Sequence, residues 1–355
     1  MVHIPRFIKE ITPVPIKDLY RGLRRSFSTK EGVETTVRGQ RPKLLSVEPT
    51  NNCNLNCPFC LVGLQNSLPS TAHDLLPRGF GFMDMELFKK IARDAAAFGI
   101  ETMQLHFQGE PLLHKKFPDM VKEARAQGLL THIFTNGLPI TENYAERILD
   151  SGLDMMRFSV DGASEETYQK NRVGGKFERV FKNMKMMVEM ARERKSPIRL
   201  EWQFIALSNN EHEIEKARIM AEGIGINFFV KTFAVTDPEL LTKDPKYHRK
   251  LHPKPCLDIY RAIFVYWNGE VVPCCYDQEG KCVVGNLQKN TLQEVWDSPE
   301  YVDLRKRIDN APLDPENEPE ICKSCLKWGP IKTQEVSNGS EMNKASSEGG
   351  GADFV

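Results

Sequence analysis

Three cysteines in the segment NNCNLNCPFC constrain this chain more than any other feature. Cys53, Cys57 and Cys60 have the spacing C-x3-C-x2-C and directly follow a short β-rich run, LLSVEP. Three thiolates at this spacing can bind three corners of a four-iron cluster and leave the fourth iron without a protein ligand. A zinc site needs a fourth ligand, and the nearest histidine, His73, is thirteen residues beyond Cys60. The spacing therefore favours an iron–sulfur cluster over zinc.

The chain as a whole has nine cysteines, an odd number that excludes a complete set of intramolecular disulfides. Grouped cysteines in a reducing compartment bind metal or do redox chemistry more often than they form structural bridges. The N-terminus MVHIPRFIKEITPV has no secretory signal, and no stretch has the length of a membrane helix. We therefore expect a cytoplasmic protein. Its 48 basic and 48 acidic residues leave no net charge, which argues against a nucleic-acid partner.

Short apolar runs alternate with amphipathic stretches over most of the chain, which predicts a parallel sheet built from repeated βα units. The predicted strands are LLSVEP, TMQLHF, THIFT, MMRFSV, IRLEWQFIAL and NFFVKTF, and the predicted helices begin near Met85, Phe117, Glu142, Phe177 and Glu211. A closed barrel needs about eight such repeats. Six repeats predict an α/β fold with a partial (β/α)6 barrel.

Composition divides the chain into four parts. Residues 1–40 form an N-terminal extension that is basic and partly helical, and residues 41–237 form the barrel. After a Pro-rich connection, residues 238–332 form a small α+β domain with a hairpin turn at Asn268-Gly269 and a short helix in TLQEVWDS. Residues 333–355 are rich in Ser, Gly and Glu without apolar periodicity, and we expect them to be disordered.

The three-cysteine segment, with Phe59 before its last cysteine, resembles the cluster loop of the radical S-adenosylmethionine (SAM) enzymes. Two further segments agree with that family in order and spacing, QGEP at residues 108–111 and SVDG at residues 159–162. The resemblance implies a barrel of radical SAM type in which SAM binds the open iron of a 4Fe-4S cluster. It implies reductive cleavage of SAM to a 5′-deoxyadenosyl radical that abstracts hydrogen from substrate, with flavodoxin or ferredoxin as the low-potential electron donor.

The resemblance also implies which residues bind SAM. Gly109 and Glu110 match the part of the Gly-Gly-Glu motif that meets the SAM amino group, although Gln108 replaces the first glycine. The other expected SAM contacts are Ser159, Asp161, Arg172, Gln203 and Asn136. Gln203 fits the family's amide better than Glu201, which shares its strand face. Lys231 is an inward candidate that can equally be a strand-end residue, and we interpret His106 as a packing residue.

A second group of cysteines lies in the C-terminal part, at Cys256, Cys274, Cys322 and Cys325. Four thiolates suit zinc or an iron–sulfur cluster equally well. The spacing C-x12-G-x4-C, followed by VVGNL and LQEVW, resembles the auxiliary-cluster domain called SPASM or, in its shortened form, twitch. No cysteine follows Cys325, so we expect one auxiliary 4Fe-4S cluster and two 4Fe-4S clusters in all.

Two cysteines have no ligand role in this scheme. Cys275 is next to Cys274 and is an alternative ligand, although the spacing from the glycine favours Cys274. Cys282 matches the free thiol with which related epimerases donate a hydrogen atom to the substrate radical. The other interpretation of Cys282 is a small buried residue without chemistry.

The motifs bind SAM and clusters, and none of them identifies the substrate. Peptide maturases often carry a leader-binding module of roughly 80 residues before the barrel, whereas about forty residues precede it here. We therefore expect a small-molecule or saccharide-like substrate, with the auxiliary cluster assisting oxidation or epimerisation. The alternative is a maturase of a ribosomally made peptide or protein. A non-catalytic iron–sulfur or zinc protein is a third hypothesis.

Overall fold

Six parallel strands, paired in chain order, form the main sheet. The computed structural model describes residues 41–69, 75–232, 238–248, 256–323 and 325. The strands are β1 (Leu44–Val47), β2 (Thr102–Gln104), β3 (Leu130–Thr135), β4 (Met155–Ser159), β5 (Arg199–Ile205) and β6 (Asn227–Lys231). Their order in the sheet is β6-β5-β4-β3-β2-β1, and β1 and β6 are not paired within the described residues. The predicted α/β class and the open six-strand barrel are confirmed.

Helices connect the strands, and most begin and end where local chemistry predicts. They are α1 (Leu61–Ser67), α2 (Met85–Phe98), α3 (Phe117–Ala126), α4 (Glu142–Asp150), α5 (Glu165–Asn171), α6 (Phe177–Glu193) and α7 (Ile214–Ile224). The Asp84 side chain caps α2, and Gly99 ends it with a φ of 97°. The helix predicted to begin near Glu211 begins with a 3-10 turn, Glu211–Glu213, before α7. Sequence periodicity missed α1 and α5 because both are only seven residues long.

The two faces of the sheet differ in exposure. Residues facing the helices, such as Ile133, Met156 and Trp202, are fully buried. In β3 these residues alternate with half-buried side chains that face the interior of the open barrel, which we call the lumen. The lumen is therefore the more accessible face, and polar side chains from β2 to β6 line it.

The C-terminal part extends the same sheet. Strand β7 (Ala262–Val265) pairs in parallel with β1, and β8 (Glu270–Val272) and β9 (Gly285–Asn286) follow in antiparallel order. The predicted hairpin turn joins β7 and β8, and Gly269 adopts a φ of 84° there. Three short helices follow, α8 (Leu292–Trp296), α9 (Pro299–Asn310) and α10 (Glu320–Lys323). Strand β7 lies in sequence between Cys256 and Cys274 of the second cysteine group. It therefore pairs that group's segment with β1, the strand that precedes the three-cysteine loop.

The predicted N-terminal extension, residues 1–40, and the predicted tail, residues 333–355, lie outside the described residues. Within the part of the chain that is described, no helix is long and apolar enough to cross a membrane.

Candidate active site

The three-cysteine loop follows β1 and is packed tightly onto α1. The Asn66 amide donates hydrogen bonds of 3.2 Å to the carbonyls of Cys53 and Leu55. A Cβ on Gly63 would lie 2.4 Å from backbone atoms of Cys57. Backbone contacts therefore fix the loop and leave the thiols to bind a ligand.

The thiols of this loop influence one another and are costly to ionise without a cation. Burial, with smaller effects from the nearby Glu110 and the other two thiols, raises the pKa of Cys53 to about 12. Burial also raises the pKa of Cys57 to about 11, although the Arg172 charge opposes this. Thiols must lose their protons to bind metal. The positive charge of a bound cluster core would stabilise the three thiolates.

Three soft sulfur donors around one pocket fit an iron–sulfur cluster. Among the described residues, no three His, Cys, Asp or Glu side chains converge closely enough to hold a single ion. A four-iron cluster is larger than an ion, so its ligands stand further apart.

The turn at Gly109 rests on the start of the cysteine loop. Gly109 has a φ of 73°, and a Cβ there would lie 2.6 Å from the Thr50 carbonyl oxygen and the Asn51 carbonyl carbon. The Glu110 N–H donates a 2.8 Å hydrogen bond to the Asn52 carbonyl. A glycine is required for this close approach, which couples the position of Glu110 to the loop.

The Glu110 carboxylate is fully buried among donors. It accepts hydrogen bonds from the Thr135 hydroxyl at 2.6 Å, the Asn136 N–H at 2.7 Å and the Leu112 N–H at 3.1 Å. Burial nevertheless raises its pKa to about 7. A cationic group beside it, such as the amino group of SAM, would favour the ionised form.

Asn136 contacts both the Glu110 carboxylate and the cysteine loop. Its amide donates to the Asn54 side chain of the cysteine loop at 2.8 Å, and its side-chain oxygen accepts from the Leu138 N–H at 3.0 Å. Asn136 therefore braces Glu110 against the loop. The sequence analysis missed Thr135, whose hydroxyl is marked only by its place at the end of β3.

Arg172 is buried and pairs with Asp161. Its Nε and Nη2 donate to Asp161 Oδ2 at 2.7 and 2.6 Å, and Nη1 lies 3.8 Å from the Cys57 sulfur. The other oxygen of Asp161 accepts the Ile205 N–H at 2.7 Å. Arg172 is not a surface residue, because its side chain is 12% exposed. Two of its nitrogens bind Asp161, which was itself expected to contact SAM.

Ser159 and Gln203 are register partners on the lumen face of β4 and β5. The Gln203 side-chain oxygen is buried and has no hydrogen-bond partner among the described residues. It is an open acceptor for a ligand hydroxyl or amine. Glu201, on the same face, already forms ion pairs with Arg157 and Arg199, which agrees with the preference for Gln203.

Gln108 contacts the C-terminal part of the chain. Its amide donates to the Gln278 carbonyl at 3.3 Å, and its oxygen accepts from Arg78. Arg78 also lies 3.4 Å from Glu48 and stacks over the Tyr266 ring at 3.7 Å. The residue that replaces the family's glycine therefore connects this turn to the SPASM-like region.

Cysteines of the second group lie near one another in the C-terminal part. Burial raises the pKa of Cys322 to about 12, with added effects from Cys256 and Cys325. A side-chain hydrogen bond with Cys275 and burial raise the pKa of Cys274, and Cys256 adds to this. The Cys274 sulfur accepts the Tyr276 N–H at 3.4 Å. Cys256 thus influences both Cys322 and Cys274, and these four half-buried cysteines suit a second cluster.

The two remaining cysteines differ in surroundings. Cys275 packs against an apolar cluster on the sheet, made of Ala262, Phe264, Tyr266 and Val272. Cys282 lies beside the second thiol group, where it influences the pKa of Cys322. Burial and Asp277 raise the pKa of Cys282 to about 11. Cys282 is thus at the auxiliary group.

An open parallel barrel with a three-cysteine loop beside a buried Gly-Glu turn is the arrangement of a radical SAM enzyme. The model of the radical SAM superfamily matches residues 47–198, and that of the iron–sulfur cluster-binding SPASM domain matches residues 256–326. The chain belongs to the radical SAM superfamily and carries a C-terminal SPASM domain. Its cofactors are SAM and two iron–sulfur clusters.

Several curated proteins are similar over most of this chain. A PqqA peptide cyclase of Xanthomonas euvesicatoria is 25% identical over 337 residues, covering 83% of this chain and 84% of that protein. A tungsten-containing aldehyde ferredoxin oxidoreductase cofactor-modifying protein of Pyrococcus furiosus is 24% identical over 310 residues, covering 74% of this chain and 83% of that protein.

The fold is similar to that of Streptococcus suis SuiB bound to SAM. The TM-score is 0.61 at 15% identity, covering 82% of this chain and 77% of that chain. At this identity the likeness concerns the fold.

Proposed function

We propose that this chain is a maturase that uses radical chemistry to modify a peptide or protein. The observation that carries the proposal is the match to a PqqA peptide cyclase over 83% of the chain, which spans the barrel and the SPASM domain together. The comparisons thus favour the maturase alternative over the small-molecule or saccharide-like substrate that the sequence analysis preferred.

The residues of the candidate site would have separate tasks. Cys53, Cys57 and Cys60 hold the cluster, and Glu110 receives the SAM amino group. Gln203 accepts a hydrogen bond from SAM. When bound and reduced by one electron, SAM supplies a 5′-deoxyadenosyl radical that removes a hydrogen atom from substrate.

The second thiol group would hold the auxiliary cluster through Cys256, Cys274, Cys322 and Cys325. A cluster there can accept the electron that remains on the substrate after hydrogen abstraction and proton loss. The first electron comes from a low-potential donor such as flavodoxin or ferredoxin. Cys282, beside the auxiliary group, remains the candidate hydrogen donor if the substrate radical receives a hydrogen atom, as in an epimerisation, instead of losing an electron.

Deuterium transfer from cell material tests the proposal without knowledge of the substrate. Cells of the source organism are grown in D2O, and their extract is divided by size into a polypeptide fraction and a small-molecule fraction. Each fraction is incubated anaerobically with reconstituted enzyme, SAM and dithionite, and 5′-deoxyadenosine is analysed by mass spectrometry. We expect deuterated 5′-deoxyadenosine with the polypeptide fraction, lost after protease digestion and absent with the triple variant Cys53→Ala, Cys57→Ala, Cys60→Ala.

A small-molecule substrate is the second candidate. The observation in its favour is the similarity to the cofactor-modifying protein of Pyrococcus furiosus over 74% of this chain. Deuterium transfer from the small-molecule fraction alone would select it and reject the maturase function.

A further inference from the structure

The lumen carries a group of side chains that the SAM motifs do not use. They come from successive strands, at or just beyond β2 and along β3 to β6, and their alternation places them on the face away from the helices. We call this group the lumen site, and it consists of His106, Phe134, Arg157, Glu201, Phe229 and Lys231.

Solvent reaches this group from inside the barrel. Phe134, Arg157, Phe229 and Lys231 are each half-buried, whereas the residues beside them that face the helices, such as Ile133 and Phe158, are fully buried. If the lumen were a tightly packed core, the side chains that face it would be fully buried as well. The lumen therefore has room beside these side chains.

Aromatic rings hold the polar groups of the lumen site in fixed positions. The His106 ring stacks on Phe134 with centroids 3.9 Å apart and planes inclined by 20°. The Arg157 guanidinium lies 4.6 Å from the Phe134 centroid and 4.3 Å from that of Phe229. Lys231 Nζ lies 5.9 Å from the Phe134 centroid. The Phe134 ring is therefore surrounded by the His106 imidazole, the Arg157 guanidinium and the Lys231 ammonium group.

The charge of the lumen site is positive. Glu201 is bound by Arg157 at 2.7 Å and by Arg199 at 2.9 Å, so one carboxylate faces two guanidinium groups. Lys231 adds a third cation. Asp161 is near enough for Lys231 to lower its pKa, but its oxygens already accept hydrogen bonds from Arg172 and the Ile205 N–H. An anionic ligand would be stabilised here.

His106 supplies an unused hydrogen-bonding group. Both ring nitrogens are buried, and neither has a hydrogen bond of normal geometry among the described residues. The His132 backbone is near enough to oppose the lowering of the His106 pKa, but it leaves at least one ring nitrogen open. Burial and the charges of Lys231, Arg157 and His132 lower its pKa to about 3, so the ring is neutral at physiological pH. A neutral imidazole has one N–H to donate, and leaving it unpaired is unfavourable.

We propose that the lumen site binds a carboxylate of the substrate, with Lys231 meeting its charge and His106 donating a hydrogen bond to it. The inference rests on the proposed function and names its substrate class as a peptide with an acidic group near the reacting carbon. The carboxylate belongs either to an Asp or Glu side chain or to the peptide's C-terminus. Gln203 keeps its proposed role as a SAM contact.

Competitive peptide binding tests the inference with the full chain, anaerobically reconstituted and loaded with SAM. The probe is a pool of short peptides with blocked ends, in which every sequence occurs once with a central Glu and once with Gln. Mass spectrometry gives the Glu-to-Gln ratio of the retained peptides. We expect a ratio of about ten or more, because hydrogen bonds with charged groups are the stronger kind. A second pool with free C-termini and Gln at the centre identifies terminal carboxylate as the source.

Substitutions of Lys231 test whether the preference for Glu over Gln arises at the lumen site. Lys231→Met is expected to reduce the ratio to near one, and Lys231→Arg, which keeps the charge, to restore it. Lys185→Met is the matched control, because Lys185 is 58% exposed on α6. A ratio near one in the wild type for both pools, or a preference that survives in Lys231→Met, would overturn the inference.

SAM affinity separates the remaining outcomes. If Lys231→Met weakens SAM binding tenfold or more, the lysine serves SAM and the inference is wrong. Retention of no peptide from either pool by SAM-loaded enzyme would reject the peptide function and this inference with it. Retention without preference would leave the maturase function standing and reject the carboxylate site alone.

Discussion

Arg172 donates two hydrogen bonds to a single oxygen of Asp161, at 2.6 and 2.7 Å, while its third nitrogen faces the Cys57 sulfur at 3.8 Å. The fourth strand thereby reaches the cysteine loop through one buried ion pair. Because both partners are buried, neither can be removed without leaving an uncompensated charge. Arg172 is thus a positioning residue for Cys57.

Asp161→Asn is expected to lower the free energy of unfolding of the cofactor-free protein by about 3–5 kcal/mol, since it leaves Arg172 buried without a counter-charge. Urea unfolding measures this. Asp150→Asn is the matched control, because its pair with Arg194 is exposed and should contribute less than about 1 kcal/mol. If the free energy of unfolding falls equally in the two variants, the buried ion pair contributes no more to stability than the exposed one.

Gly109→Ala should damage the site through both conformation and space. A residue with a Cβ is disfavoured at positive φ by about 1–2 kcal/mol, and here the Cβ would also meet Thr50 and Asn51 at 2.6 Å. Gly128→Ala separates the two effects, because Gly128 has a φ of 81° with nothing within 4 Å of a Cβ. We expect Gly109→Ala to be the more destabilising in urea and to lower iron content after reconstitution, whereas Gly128→Ala keeps its iron.

Glu48 predicts a pH dependence of stability. Burial raises its pKa from 4.5 to about 7, with Arg78 opposing. A carboxyl with a raised pKa in the folded state stabilises the fold below its unfolded pKa, and that contribution disappears as the pH rises towards 7. Relative to Glu48→Gln, the cofactor-free wild type should therefore lose up to about 3 kcal/mol between pH 4.5 and 7.

Urea unfolding at several pH values between 4.5 and 7 measures this difference. Glu101→Gln is the control, since Glu101 forms an exposed pair with Lys43, and it should show no such trend against the wild type. A constant difference between wild type and Glu48→Gln over this range would contradict the assignment.

Gln108→Gly introduces the glycine of the family motif and removes the contacts to Arg78 and Gln278. Because Arg78 loses one of its few partners in a buried position, we expect unfolding free energy to fall by about 1–3 kcal/mol. Faster amide hydrogen exchange in residues 276–282 would show that the link to the SPASM domain is lost. Gln127→Gly, at the end of α3, should leave exchange in that segment unchanged.

Local patterns were sufficient for the strands and the cysteine groups. Short apolar runs between amphipathic stretches predicted all six barrel strands, and Asn268-Gly269 predicted the β7–β8 turn, because these signals act between near neighbours in sequence. The partners of Gln108 are 30 and 170 residues away, and those of Glu110 on β3 are 25 and 26 residues away. No periodicity encodes such contacts. The stack of His106 on Phe134, 28 residues away in sequence, is a contact of the same kind.

Cys274→Ala and Cys275→Ala make the sharpest test of the auxiliary group, because the residues are adjacent and differ in surroundings. The two side chains are hydrogen-bonded to each other, but Cys274 is also influenced by Cys256, whereas Cys275 packs on the apolar cluster. Two 4Fe-4S clusters give about eight irons per chain. Cys275→Ala should keep about eight, and Cys274→Ala should fall towards four with the SAM-binding cluster intact. The reverse result would make Cys275 the ligand, and loss of zinc instead of iron would make the SPASM-domain site structural and remove its role as electron acceptor.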